Sequence, residues 1–453
     1  MTIKTSEKTY SYWRVLRLSS FQIGSAMGDI LVTSIWNRVM ISNFGIAAAP
    51  VSFLIALRYL LSPLSLWAGF LSDNKLIMGL RRTPYIWLGR LLMILSLPLL
   101  GFSLMRFSDS QADWIGWGLA LVSSLIYGIG TLISGSPYLA LVRDSVPQAK
   151  QGLAISTVET VLIICFAIVG IGFSVWMETY NQTVFWEIVL ATMLIGGFFW
   201  FFAIVGVEKR TTAVTSPTSH STTRADFKAT MNRIWQDPRT RGFFLFLSLA
   251  TMSAWAQDAI LEPFGAEVFG LPAGQTTRFN SYWQAATVIT LLFSAFLWRK
   301  RPPERQSKIA SGGLLTMALG MVLLMAAAFA VQRHLIQIAL LVFGGGFGVY
   351  TFGGLSLMMV MSSDKEAGAY LGLWTVSILV FKGLGTFLGG AIRDLFILNL
   401  EIAPGISYGL VFALEAIGLF TAVLVLLRVD VIGFARDAGR LLSRTEVQIA
   451  SAD

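Results

Sequence analysis

One cysteine and two histidines in 453 residues exclude several chemistries at once. Cys165 has no second thiol to join, so neither an intrachain disulfide nor a cysteine-based metal cluster can form. His220 lies in a polar central stretch and His334 at a loop edge, so no imidazole falls within a long apolar run. Walker, HExxH, GxSxG and Cys/His zinc spacings are all missing, which leaves ATP-driven transport and hydrolysis without supporting residues. No catalytic residue is nominated, no protein metal site is expected, and the chain does not read as an enzyme. Charge is scarce as well: 13% of residues are charged against 55% hydrophobic, with a mean hydropathy of +0.68. No ordinary soluble domain has that balance, so the expected class is an all-α integral membrane protein.

What the chain does have is apolar runs of about 20 residues, each long enough to cross a roughly 30 Å hydrocarbon core as helix. Twelve spans are expected, near 15–41, 50–71, 84–105, 114–139, 152–176, 184–206, 241–263, 281–299, 309–331, 335–361, 370–391 and 405–427. The first follows a polar, basic N-terminus without a small-residue cleavage site and reads as a retained helix rather than a signal peptide. The net charge of +9 reflects topology, not nucleic acid. Loops on the N-terminal side carry about 26 Lys and Arg, whereas the opposite side holds Arg106, Arg278, Arg333 and Arg393. The positive-inside rule then puts both termini in the cytoplasm.

The spans divide six and six around a Ser/Thr-rich linker, 207–240, whose end from Asp226 to Trp235 has the spacing of a short amphipathic surface helix. This gives an N-terminal half, 1–206, and a C-terminal half, 241–453, with a short cytoplasmic tail. The halves echo each other: "SSFQIGSAMGD" ends in Asp29 and "LFLSLATMSAWAQD" in Asp258, while spans four and ten are both glycine-rich. Small residues at that spacing let helix backbones approach closely. Twelve helices in two pseudo-repeated halves resemble the major facilitator superfamily, in which the halves rock about a central site.

Between spans two and three, "GFLSDNKLIMGLRRTPYIWLGR" sits where that superfamily carries a Gly-x-x-x-Asp loop followed by basic residues. Gly69, Asp73, Gly79, Arg81 and Arg82 resemble that loop. With Arg143 and Asp144 in the turn after span four, they are candidates for a conformational latch. Ionisable groups at bilayer depth form a second set: Asp29, Arg38, Arg58, Glu159, Asp258, Glu262, Lys382 and Glu415. Each costs roughly 2.5–3.5 kcal/mol on insertion scales unless paired or wetted. All but Glu415 fall on spans that the superfamily analogy assigns to the central cavity. Two readings stand: a polar site in which Arg58 or Lys382 holds an anion and Asp29 or Asp258 exchanges protons, or a network in which Asp29, Arg58, Glu159 and Lys382 neutralise one another. Arg38 and Glu262, near the far ends of spans one and seven, are placed for an extracytoplasmic gate.

A closer resemblance enters at "SIWNRVMISNFGI", where an Asn-Arg-Val-Met-Ile run goes with Arg-Arg-x-Pro-Tyr-Ile-Trp opening span three. With "RYLLSPLSLWAGFLSD", "LVRDSVPQAKQG" and "GLGTFLGGAIRD", these resemble the PucC/LhaA family of light-harvesting complex assembly proteins. Asn37, Arg38, Pro84 and Tyr85 carry the pattern beside the latch residues. The resemblance implies a carrier of chlorophyll or bacteriochlorophyll, with carotenoid as a further candidate, bound transiently. Its implied partners are light-harvesting or photosystem apoproteins and pigment-synthesis enzymes, in a thylakoid, intracytoplasmic or plasma membrane. The missing imidazoles speak against a stable antenna, so any tetrapyrrole would be ligated by Asn, Gln, a carboxylate, a carbonyl or water. The competing class is a proton- or ion-coupled permease for a small solute.

Overall fold

The computed structural model describes residues 11–74, 76–147, 150–208, 210, 231–298, 303–362 and 367–437. Lys75, His220 and most of the 207–240 linker lie outside them, as does the side chain of Asp73. Of the expected surface helix, 231–236 is described and helical. Its Ile234 is buried, and Trp235 meets Phe244 edge-on at 5.1 Å.

Among the described residues the regular structure is helical, apart from one isolated backbone pairing of Ile77 with Leu80. Nine of these helices are long and apolar enough to cross a membrane unaided, and a tenth span forms when Pro238–Ala259 and Leu261–Phe269 are joined across a 45° bend. The other two expected spans are helical but too polar for that test. The first is Tyr12–Ser19 and Phe21–Ile30 continued by π-helical Leu31–Trp36 and Val39–Asn43, with Asn37 and Arg38 in its C-terminal part. The eighth, Ala273–Trp298, opens with Gln275, Thr276, Thr277, Arg278 and Asn280.

Local chemistry explains where the spans start. Asp113, Asn181 and Asp237 each accept a backbone N–H of the first turn that follows, at 3.1, 2.8 and 2.8 Å, filling orphan donors at the helix ends. Proline follows Asp237 directly, where its missing N–H costs nothing. The seventh span breaks at Ile260, with 3-10 geometry over Ala256–Ala259 and Pro263 just beyond.

The chain forms two compact units. The first comprises the described residues of Met1–Thr218 with Asp258–Gln284 and Thr386–Glu401; the second comprises those of Ser219–Gln257, Ala285–Gly385 and Ile402–Asp453. Each has a helix pair closed on glycine. In the first unit spans three and four touch at Gly89 and Gly130, where a Cβ on Gly130 would sit 2.5 Å from the Gly89 carbonyl. In the second, spans nine and ten touch at Gly313 and Gly346, where a Cβ on Gly346 would sit 2.5 Å from the Met317 nitrogen. Spans four and ten thus use their glycines in the same way, at contacts too close for any side chain.

Candidate functional site

Four groups of polar or aromatic side chains stand out, three in the first unit and one in the second. The first is centred on Asp29, whose Oδ1 accepts from Arg58 Nη1 at 2.6 Å and from the Tyr127 hydroxyl at 2.9 Å. Arg58 also donates to the Tyr59 hydroxyl and lies 4.5 Å from the centroid of that ring. Small residues permit this convergence of spans one, two and four. A Cβ on Gly28 would meet the Tyr127 hydroxyl at 2.8 Å, and one on Gly128 would meet Arg58 at 3.1 Å. Arg58 is 7% exposed and Asp29 30%, so a desolvated cation is balanced by a partly wetted carboxylate. Glu159, on span five, is exposed.

Sequence reasoning passed over Arg90, a buried cation on span three. Its guanidinium carbon lies 4.4 Å from the Phe21 ring centroid and 5.0 Å from that of Trp200, and its Nη1 meets Met93 Sδ at 3.1 Å. Aromatic faces, rather than a carboxylate, surround this charge. Its place on span three also means that Glu415 is not the sole charge off the cavity-assigned spans.

The second group joins the C-terminal part of span one to the segments around and after the bend. Glu262 Oε1 accepts from Ser34 at 2.9 Å and from Asn280 at 2.5 Å, and Asn37 Nδ2 donates to the Ala259 carbonyl at 2.8 Å. Arg38 donates to Asn43 Oδ1 at 2.5 Å and the Leu271 carbonyl at 3.0 Å, so its hydrogen bonds go there while Glu262 takes Ser34 and Asn280. Beside them Asp394 accepts the backbone N–H groups of Ala48 and Ala49 at 3.0 and 2.6 Å, capping span two from a distant part of the chain. Arg393 bridges Asp394, at 2.7 Å, and Glu267. Neither Glu267 nor the Arg393–Asp394 pair was singled out in the sequence. The "GGAIRD" run was the available signal.

The third group is the loop before span three. Met78 and Gly79 have positive φ, 56° and 76°, and Ile77 and Leu80 exchange backbone hydrogen bonds at 2.9 and 3.0 Å, which makes a tight turn. Arg82 Nη2 pairs with Asp144 Oδ2 at 2.9 Å, and Arg143 approaches the other Asp144 oxygen at 3.7 Å. Tyr85, one turn into span three, reaches the Leu71 carbonyl at 3.4 Å, and Gly69 faces Ser136 of span four. Glu208 is new here: its carboxylate accepts the backbone N–H of Arg81, Arg82 and Thr83 at 2.7, 3.1 and 2.9 Å and the Thr83 hydroxyl at 2.7 Å. One carboxylate therefore fills the N-terminal donors of span three, whose first turn also holds Pro84.

The second unit holds a cavity of about 310 Å³ with an aromatic wall of Trp255, Phe347 and Tyr350, polar points at Thr251 and Thr351, and Lys382 at its edge. The Lys382 ammonium lies 3.2 Å from the centroid of the Trp255 ring, and Trp255 and Phe347 meet edge-on at 5.8 Å. Glu415, elsewhere in the same unit, is 3% exposed.

A family model described as "PUCC protein" matches residues 35–434. The chain belongs to the PucC family. It is 27% identical over 424 residues to protein PucC of Cereibacter sphaeroides, covering 91% of each chain. It is 26% identical to PucC of Rhodovulum sulfidophilum over 84% of this chain and 85% of that one. Similarity extends to a Rhodobacter capsulatus protein named bacteriochlorophyll synthase 44.5 kDa chain, 26% identical over 90% of this chain and 93% of that one. Among solved structures, the nucleoside transporter NupG superposes with a TM-score of 0.68 at 13% identity, over 92% of this chain and 100% of that one. A D-xylose–proton symporter gives 0.63 at 14% identity, over 90% and 98%. This PucC-family chain thus has the major facilitator fold, as the twelve spans implied.

Proposed function

We propose that the protein is a membrane assembly factor that takes up chlorophyll or bacteriochlorophyll and passes it to light-harvesting or photosystem apoproteins. The observation that carries this reading is the aromatic cavity of the second unit in a chain of this family. Ring faces at Trp255, Phe347 and Tyr350 suit a flat conjugated cargo. The hydroxyls of Thr251, Tyr350 and Thr351 are weak donors to a magnesium ion compared with imidazole, which suits release over storage. At about 310 Å³ the space is at the lower end of small-molecule pockets, so it would receive one edge of the pigment with the remainder toward lipid. The membrane proposed is photosynthetic, with both termini on the cytoplasmic face, and pigment-synthesis enzymes are the proposed donors.

An absorption spectrum of protein purified from a pigment-producing host tests this. Bound tetrapyrrole near one per chain, diminished by Trp255→Ala or Phe347→Ala, is expected; colourless protein from such membranes would count against it. A second reading, a proton- or ion-coupled permease, is favoured by the structural likeness to a proton symporter and by the Asp29–Arg58 pair. Solute uptake into proteoliposomes driven by a pH gradient, and abolished by Asp29→Asn, would support it instead.

A further inference from the structure

A groove of about 530 Å³ lies in the second unit between the end of span eight and the start of span nine, with no lining residue in common with the aromatic cavity. Its lining is ordered. Arg305, the adjacent Lys308 and Ile309, Gly312 and Thr316 of span nine recur three or four residues apart from one turn to the next, so they form one stripe along a helix face. Val349 of span ten and Trp298 of span eight supply the other walls. Both cations stand at the stripe's polar end and are exposed. Toward the apolar end Gly312 leaves a gap, since a Cβ built there meets nothing within 4 Å.

We infer that this groove is a binding site for an anionic phospholipid, its phosphate held between Arg305 and Lys308 and one acyl chain lying along Ile309, Gly312 and Thr316. Charge at one end and an open apolar track at the other match an amphiphile and not a free ion. Basic pockets between transmembrane helices take acidic headgroups, and a tryptophan at the same level is a usual interfacial anchor. The inference is independent of the cargo proposed above.

The test uses the full chain in detergent, with added phosphatidylglycerol, phosphatidylcholine or inorganic phosphate, read by thermal unfolding and by lipid adducts in native mass spectrometry. Phosphatidylglycerol should give a saturable rise in melting temperature and one retained lipid, and phosphatidylcholine neither. Replacing both Arg305 and Lys308 by Ala removes two headgroup charges and should weaken retention about 30-fold. Gly312→Leu keeps both cations but fills the chain track; it should also lose the lipid, while its melting in phosphatidylcholine stays at the wild-type value. Equal effects of the two lipids, full retention by the double variant, or an equal rise with inorganic phosphate alone would each overturn the inference.

Discussion

Asp29 and Arg58 are separated by 29 positions yet form an ion pair at 2.6 Å in the first charged cluster. Removing one partner of such a pair leaves a buried cation uncompensated. Asp29→Asn is therefore expected to lower stability by about 2–4 kcal/mol, at the lower end because Asp29 is partly wetted. Combining it with Arg58→Met should recover most of the loss, and melting temperatures of the single and double variants in detergent measure this. Failure of the double variant to recover would mean that the loss comes from the Tyr127–Asp29 hydrogen bond and the packing of Arg58 on Tyr59 and not from an uncompensated charge. Arg90 makes the opposite case, since its buried charge meets rings and a sulfur. Arg90→Met keeps the volume and removes the desolvated charge, so it should melt at or above the wild-type temperature, while Arg90→Ala should melt lower through the cavity it leaves. The sequence made Asp29 and Arg58 conspicuous as charges deep in apolar runs. Arg90, near the start of its span, passes for an interfacial residue until Phe21 and Trp200 are seen to close over it.

Among the elements, span three depends on a side chain 125 to 127 positions later. Glu208→Gln keeps an acceptor but removes the charge facing the helix N-terminus, and should cost about 0.5–1 kcal/mol; Glu208→Ala removes the cap and should cost about 1–2 kcal/mol. Hydrogen exchange at the amides of Arg81, Arg82 and Thr83 should accelerate in that order of severity. Arg82→Ala should cost less, under about 1 kcal/mol, because its partner Asp144 is 45% exposed. Such caps are invisible in sequence because nothing local marks Glu208 as the partner of a turn so far away. The spans themselves were legible, since length and apolarity suffice to define them. The first and eighth were read as apolar runs like the others, although neither is among the spans apolar enough to cross unaided. The bend at Ile260 and the π-helical stretches of span one were not legible, since they lie where Asn37 donates to the Ala259 carbonyl and Glu262 accepts from Ser34 and Asn280, pairings between distant parts of the chain. Glycine contacts lie between these cases: the runs in spans four and ten announced close packing, but only coordinates identify Gly89 and Gly313 as the receiving sides. Gly346→Val should destabilise by about 1–3 kcal/mol or more through forced helix separation, read as a lower melting temperature.

For the whole molecule, replacing His334 and His220 together should leave any copurified pigment in place, as the aromatic cavity contains no imidazole. A bleached double variant would require a different cargo site. The first compact unit includes Asp258–Gln284 and Thr386–Glu401 as well as the first six spans. Residues 1–206 expressed alone should therefore be markedly less stable than the same segment in the full chain, with faster exchange at the Ala48 and Ala49 amides and partial restoration when the remainder is coexpressed. The Asp394 contacts also bear on the order of biosynthesis. Ala48 and Ala49 leave the ribosome some 345 residues before the carboxylate that caps them, an interval of roughly 20–70 s at ordinary elongation rates. During that time the start of span two must hold its donors on water, lipid headgroups or an insertase, so the nascent chain passes through a membrane-inserted state in which that helix end is uncapped. Ribosome stalling just before Asp394 should trap that state, and the factors crosslinked to it would be those that shelter the helix until its cap arrives.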